Sequence, residues 1–271
     1  MTSRGSLAER LLTIPATAGA VLGIETGGPV VSLGVVEAGR IQASYARQLA
    51  SHCSGLPIAV EECLEAAGRK VCDLTGVAVG IGPGSFTGLR VGLSYAKGLA
   101  RALGIPLVGV PSLDAIVMAA ALEPRSGLTV CPVIDARRGE VYAALYRFSA
   151  DALEKVVNEF AVTAAELAAM VEGEVAAGEV VFTGDAMQEE VRRQATAKGC
   201  RAVATGVAEM YLRGCAVAGI GASRIADRKV DDTATLEPLY VRPSGAVTAS
   251  GLGARDYGTP GRGIDPAARG S

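Results

Sequence analysis

The order strand, strand, strand, helix, strand, helix runs twice along this chain, and a chain with that repeat has few ways to bury its apolar surface. In the first pass, short apolar runs at Val21–Glu25, Val30–Val36 and Ile41–Ala46 carry the spacing of a three-strand meander. Leu56, Ala59, Val60, Cys63, Leu64 and Ala67 then recur at helical intervals, with Glu61, Glu62 and Glu65 opposite. A strand at Val77–Ile81, a helix over Phe86–Leu103, a strand at Leu107–Val110 and a helix over Ser112–Leu122, capped by Ser112, follow. The second pass reads as strands at Thr129–Asp135, Gly139–Phe148 and Val156–Val162, with a short turn at Ala136–Arg138. Helices near Ala164–Val171, Met187–Ala197 and Val207–Gly219 and a strand at Val180–Thr183 complete it. Apolar strands alternating with helices predict α/β halves, each with a largely parallel sheet covered on both faces, joined near Ser126–Gly127. Leu236–Arg242, holding Pro238, reads as an edge strand or an extended segment.

The two ends differ from this middle. Residues 1–20 hold an apolar run, Leu11–Pro15, too short for a secretory leader, and are expected to be a disordered extension. Residues 244–271 are rich in Gly, Pro, Ala and Arg without periodicity and are expected to be a disordered tail. The folded part thus divides into an N-terminal lobe, 21–126, and a C-terminal lobe, 127–243.

Composition removes several classes of function. In 271 residues, 49 % are apolar and 20 % charged, enough for a sizeable core. A net charge of −2, no Trp and only 4 % aromatics give a weak footprint for gripping nucleic acid. No apolar stretch is long enough to span a bilayer as a helix. The six cysteines (Cys53, Cys63, Cys72, Cys131, Cys200, Cys215) form no C-x-x-C pair, so neither a zinc knuckle nor a disulfide framework is expected. His52 is the single histidine, which excludes a multi-histidine metal site on this chain. A peptidase triad would need His52 as its base, and no acid is paired with it nearby.

The most unusual segment is Gly80-Ile81-Gly82-Pro83-Gly84-Ser85-Phe86-Thr87-Gly88-Leu89-Arg90-Val91-Gly92, between a predicted strand and a predicted helix. It lacks the Lys-Ser/Thr of a Walker phosphate loop, and no acid between Asp73 and Asp114 is available for a ribose. A rigid turn with Ser85 or Thr87 capping the helix, or an anion or partner contact, both fit. Gly88, Gly92, Ala96 and Ala100 fall at four-residue intervals beside a stripe of Leu89, Leu93 and Leu103. Small residues so spaced admit a second helix closely, within this chain or from another. Glu25 and Thr26 lie on the turn after the first strand, and Asp135 lies on the matching turn of the second half. They read either as turn residues accepting backbone hydrogen bonds or as holders of a nucleotide–magnesium complex between lobes. Arg137 and Arg138 form a solvated turn or a phosphate contact.

Five segments, in order along Val21–Pro243, resemble the TsaD/TsaB family of tRNA threonylcarbamoyladenosine biosynthesis proteins, specifically its TsaB (YeaZ) members. They are Leu22–Thr26, Gly82–Gly92, Val110-Pro111-Ser112-Leu113, Ile134-Asp135-Ala136-Arg137-Arg138-Gly139-Glu140-Val141-Tyr142 and Glu237-Pro238-Leu239-Tyr240-Val241-Arg242. His52-Cys53-Ser54 is similar as well. The resemblance implies an actin-like (ribonuclease-H-like) fold, duplicated and two-lobed, with mixed sheets flanked by helices. It implies a cytoplasmic, non-catalytic scaffold that forms a heterodimer with the catalytic paralogue TsaD and works with TsaE, with a functional link to TsaC. ATP and a metal ion are then expected on those partners, with no cofactor on this chain, and tRNA is met mainly through the complex. The partner surface is expected at Leu56, Val60, Cys63, Leu64, Leu89, Gly92, Leu93, Ala96 and Ala100, with homodimerisation of the lone chain left open. Glu25, Thr26 and Asp135 are expected to be a vestigial nucleotide site. Two departures weigh against autonomous ATP hydrolysis. Glu25 stands where the family carries Asp, and Thr183-Gly184-Asp185 stands where nucleotide-binding relatives carry paired glycines. The competing reading is an independent small-molecule kinase or ATPase using Glu25, Thr26 and Asp135.

Overall fold

A computed structural model describes residues 19–48, 52–120, 126–149, 152–174, 179–185, 187–198, 201–204 and 211–241. The expectations for residues 1–18 and 242–271 fall outside these, and so does the side chain of His52. Gly19 and Ala20, assigned above to the extension, are buried, and Ala20 already pairs in the first sheet.

Strands β1 (Ala20–Glu25), β2 (Val31–Glu37) and β3 (Arg40–Arg47) form the predicted meander. Helix α1 (His52–Ala66) leads to β4 (Leu74–Gly82), α2 (Phe86–Leu103), β5 (Leu107–Pro111) and α3 (Ser112–Ala119). The second pass supplies β6 (Thr129–Arg137), β7 (Glu140–Ser149), β8 (Ala152–Thr163), α4 (Ala164–Glu174), β9 (Glu179–Gly184), α5 (Met187–Ala197), β10 (Arg201–Ala204) and α6 (Arg213–Ala226). The sheet orders are β3-β2-β1-β4-β5 and β8-β7-β6-β9-β10, the same path drawn twice. In each sheet the hairpin pairings are antiparallel, and the two that follow the helical crossovers are parallel. The sheets are therefore mixed rather than largely parallel, because the opening meander turns tightly and only the crossovers need helices.

Strand alternation divides the first sheet into two buried faces. Leu22, Ile24, Leu33, Val35, Val77 and Val79 meet α1 and α2 on one face. Val21, Val36, Ala78, Val108 and Val110 meet α3 and α6 on the other. In the second sheet, Val133, Val141, Ala143, Leu145 and Phe182 pack under α4 and α5. The opposite face, with Val130, Ile134, Ala144, Tyr146, Phe148 and Val181, meets Leu113, Ile116 and Val117 of α3.

One element lies where the repeat did not place it. The helix read at Val207–Gly219 and counted with the second half is α6, and it covers the first sheet. Its small residues explain the placement. A Cβ on Gly34 would sit 2.5 Å from the Cys215 Cα, and one on Gly214 would fall inside the backbone of Leu33. Gly23 and Gly221 make equally close approaches to Gly214 and Ala78. Gly23, Gly34 and Gly214 bring the start of α6 down to backbone contact with β1 and β2, and Gly221 makes room for the Ala78 methyl, which no larger side chain would permit.

The chain then returns along the edge of the first sheet. Asp231 N–H donates to the Leu107 carbonyl (2.9 Å), and Gly109 N–H donates to Asp231 Oδ2 (2.8 Å). Arg224 Nη1 donates to the Gly109 carbonyl (2.7 Å), so the open side of β5 is capped by side chains and one bridge. Leu236–Tyr240 runs on without regular secondary structure and does not join the sheet as a strand, and Leu239 N–H donates to the Ile81 carbonyl (2.7 Å).

Candidate functional site

Four segments converge at the end of the first sheet: the β1 turn, the glycine-rich segment, the start of α3 and the returning 236–241 stretch. Glu25 is the last residue of β1 and only 2 % exposed. Its Oε1 accepts from Gly27 N–H (2.6 Å) and its Oε2 from the Ser112 hydroxyl (2.8 Å). Ser112 Oγ in turn accepts from Gly82 N–H (3.2 Å). Gly80 lies flat against this carboxylate, and a Cβ there would collide with Oε2. Ser112 was expected to cap its own helix. It bridges Glu25 and Gly82 instead, and Pro111 takes the cap position without a side-chain bond.

Thr26 is fully buried, and its hydroxyl donates to the Gly88 carbonyl (2.8 Å). Gly88 and Gly92 are small for this reason: a Cβ on either would overlap the Thr26 carbonyl or hydroxyl. Gly84 passes within 2.6 Å, measured from its would-be Cβ, of the Gly27 carbonyl, and Ser85 N–H donates to that same oxygen (2.8 Å). Ser85 Oγ accepts from Gly88 N–H (3.3 Å) and caps α2. The glycine-rich segment is therefore a capped turn locked onto the β1 turn, with the amides of Gly82, Ser85 and Gly88 donating to the protein's own oxygens.

The outer side of this junction is aromatic and cationic. Phe86 and Tyr240 stack at 5.5 Å between centroids, and the Arg90 guanidinium lies 3.8 Å above the Phe86 ring. Arg90 Nε donates to the Tyr240 hydroxyl (3.0 Å), which ties the returning segment to α2.

Asp135 lies elsewhere, exposed at the end of β6. Its Oδ1 accepts from Arg137 N–H (2.7 Å), and its own N–H donates to Asp185 Oδ2 (2.6 Å). Arg137 and Arg138 are exposed in the β6–β7 turn, both with positive φ. No described contact joins Asp135 to Glu25 or Thr26, and no cluster of three or more His, Cys, Asp or Glu side chains suited to a metal occurs among the described residues. Both oxygens of the buried Glu25 carboxylate accept protein hydrogen bonds, and the side chain is turned into the protein.

The nine residues expected at a partner surface are all interior. Leu56, Val60, Cys63, Leu64, Leu93, Ala96 and Ala100 belong to the core under α1 and α2. Leu89 is buried against Gly27 and Gly82, and Gly92 against Thr26. Burial pushes the Cys63 thiol up to about 12, as expected of an inert core cysteine. Helical periodicity marks a buried stripe without saying whose surface buries it, and here the first sheet does. The exposed side of these helices carries Ile58, 59 % accessible, with Glu61, Glu62 and the half-buried Tyr95. Burial and the nearby Glu61 charge both raise the Tyr95 phenol.

Comparison with known proteins agrees with this architecture. A model of the family described as "TsaD: tRNA N6-adenosine threonylcarbamoyltransferase" matches residues 47–249. The chain is 35 % identical over 128 residues to the tRNA threonylcarbamoyladenosine biosynthesis protein TsaB of Escherichia coli, covering 47 % of this chain and 54 % of that one. It is 36 % identical over 141 residues to the TsaB of Bacillus subtilis, covering 51 % and 60 %. The chain thus spans between half and two-thirds of the length of these relatives. A solved structure described as YeaZ from Pseudomonas aeruginosa superposes with a TM-score of 0.65 at 23 % identity, over 82 % of this chain and 99 % of that one, and shares the fold. From the family model, which takes in about three-quarters of the sequence, and from these relatives, the chain belongs to the TsaD/TsaB family, with an actin-like fold.

Proposed function

We propose that this chain is a non-catalytic subunit for threonylcarbamoyl transfer to adenosine 37 of tRNAs that read codons beginning with A, pairing with TsaD and ordering it. The observation that carries the proposal is the engagement of the strand-end side chains. Glu25 and Thr26 are buried and clamped by Gly27, Ser112 and Gly88, so a metal–phosphate complex could reach them only by displacing this packing. What this chain's residues do is support shape. The β1 turn and the glycine-rich segment fix the start of α2, and α2 with α1 then presents Ile58 and the acidic residues beside it as a rigid face. A large exposed aliphatic side chain with Glu61 and Glu62 one turn on suits a protein partner with an apolar, basic patch. TsaE and TsaC act in the same cytoplasmic reaction sequence on this reading, with ATP and metal on those partners.

The test is a reconstituted reaction with the cognate TsaC, TsaD and TsaE, counting threonylcarbamoyladenosine in tRNA by mass spectrometry. Product that appears only with this chain, and survives Asp135→Ala, is the expected result. Product that forms equally well without the chain overturns the proposal. Ile58→Asp is expected to weaken heterodimer formation at least tenfold with an unchanged circular dichroism spectrum. Unaltered pairing would place the partner on another face.

A further inference from the structure

The eight residues of α3 sit between the two sheets and touch both, and six of them are buried. At its first residue, the Ser112 hydroxyl holds Glu25 and Gly82 of the first sheet. Two residues on, Asp114 Oδ1 accepts from the Tyr146 hydroxyl of β7 (2.5 Å) and from Lys155 Nζ of β8 (2.7 Å). Lys155 is held from the other side by Glu159 (2.6 Å) and lies 5.4 Å from the Tyr146 ring centre. Between these polar ends, Leu113, Ile116 and Val117 sink into the second sheet beside Val130, Ile134 and Phe148. Ala115 and Ala119 face Val108, Val110 and α6.

We propose that α3 is a fixed coupling bar, pinned through Ser112 to the β1 turn and through Asp114 to Tyr146 and Lys155, which holds the two sheets at one angle and keeps the halves from closing on a ligand. Rotation of one half against the other must slide one side of α3. On the second-sheet side that would strip a buried tyrosine hydroxyl of its acceptor, separate a charged pair and open an apolar cluster together. On the first-sheet side it would leave the Glu25 carboxylate short of a donor inside the protein. A hinge, by contrast, places its motion in a few loop or terminal residues with little buried around them. This inference concerns the fold and does not depend on the partner proposed above.

The test measures one distance between the halves. Spin labels placed by Glu65→Cys on α1 and Thr196→Cys on α5, in a chain with Cys53, Cys72 and Cys200 changed to Ser, report it by pulsed electron resonance. The unmodified junction is expected to give one narrow distribution that magnesium–ATP leaves in place. Asp114→Ala with Tyr146→Phe is expected to widen it at least twofold, with helix content unchanged. If that double variant fails to fold, Asp114→Asn, which keeps an acceptor and loses the charge, is expected to widen it by a smaller factor. A distribution already broad or two-peaked, or one shifted by about 5 Å with magnesium–ATP, would make α3 a hinge and overturn the proposal. So would widths unchanged in a folded variant.

Discussion

The two sheets follow the same path and are packed by opposite means. On one face of the first, β1 and β2 lie against α6 through Gly23, Gly34 and Gly214, backbone on backbone. In the second, Phe182, Leu145 and Leu167 fill the space under α4 and α5 with side-chain volume. Their edges differ as well. Asp231 and Arg224 cap β5, whereas β8 leaves Leu153 and Val156 more than one-third exposed along its twelve residues. Repeating a topology therefore does not repeat its energetics: the α6 face of the first sheet should resent added atoms and the core of the second removed ones.

The largest expected effect is in the second sheet. Phe182→Ala should cost about 4 kcal/mol of stability, measured by urea unfolding, because a fully buried ring leaves a cavity that strands on both sides hold open. Gly34→Val in the first sheet comes next, at about 3 kcal/mol, since Cys215 and the helix backbone behind it must retreat. Tolerance of that change within about 1 kcal/mol would erase the contrast. Ser112→Ala should cost about 2 kcal/mol by leaving Glu25 Oε2 and Gly82 N–H without their shared partner. Val156→Lys, on the exposed β8 edge, should stay within about 0.5 kcal/mol and lower aggregation on heating.

Alkaline pH probes both halves at once. Burial raises the thiols of Cys63 in the first core and Cys131 in the second above their ordinary value near 9. Burial and Asp114 raise the Tyr146 phenol likewise. Each group keeps its proton more tightly when folded, so its contribution is complete below the unfolded value and is lost as pH rises toward the folded one. Stability should be flat from pH 7 to 8 and fall from about pH 9 upward. In the native protein at pH 8, iodoacetamide should label the exposed Cys72 before Cys63, Cys131 or Cys215.

The fold was largely legible because periodicity and glycine punctuation are local signals. Phe86–Leu103 matches α2 at both ends, Ser85 supplies the cap, and the repeated order of elements reappears as two sheets of matching strand order. What sequence could not show was which surface each apolar stripe would meet. The Gly88–Ala100 stripe reads equally well as core or interface until Thr26 is seen beneath Gly92. Likewise α6 followed the second half in sequence, although glycines mid-strand at positions 23 and 34 and within the helix at 214 and 221 were the visible trace of its true contact. β10 was missed because four residues, Arg201–Ala204, give too short a pattern to read. The Glu25–Ser112 and Asp114–Tyr146 pairings join residues 87 and 32 positions apart and left no local mark.

The placement of α6 also bears on how the chain is made. A ribosome releases β1 and β2 first, yet the patch that Gly23 and Gly34 open meets its helix only when residues 213–226 emerge. All the named strands of the second sheet precede them in synthesis. The sheet born first is thus the one finished last, and cutting the chain at the junction near residue 126 would yield an N-terminal piece without its lid.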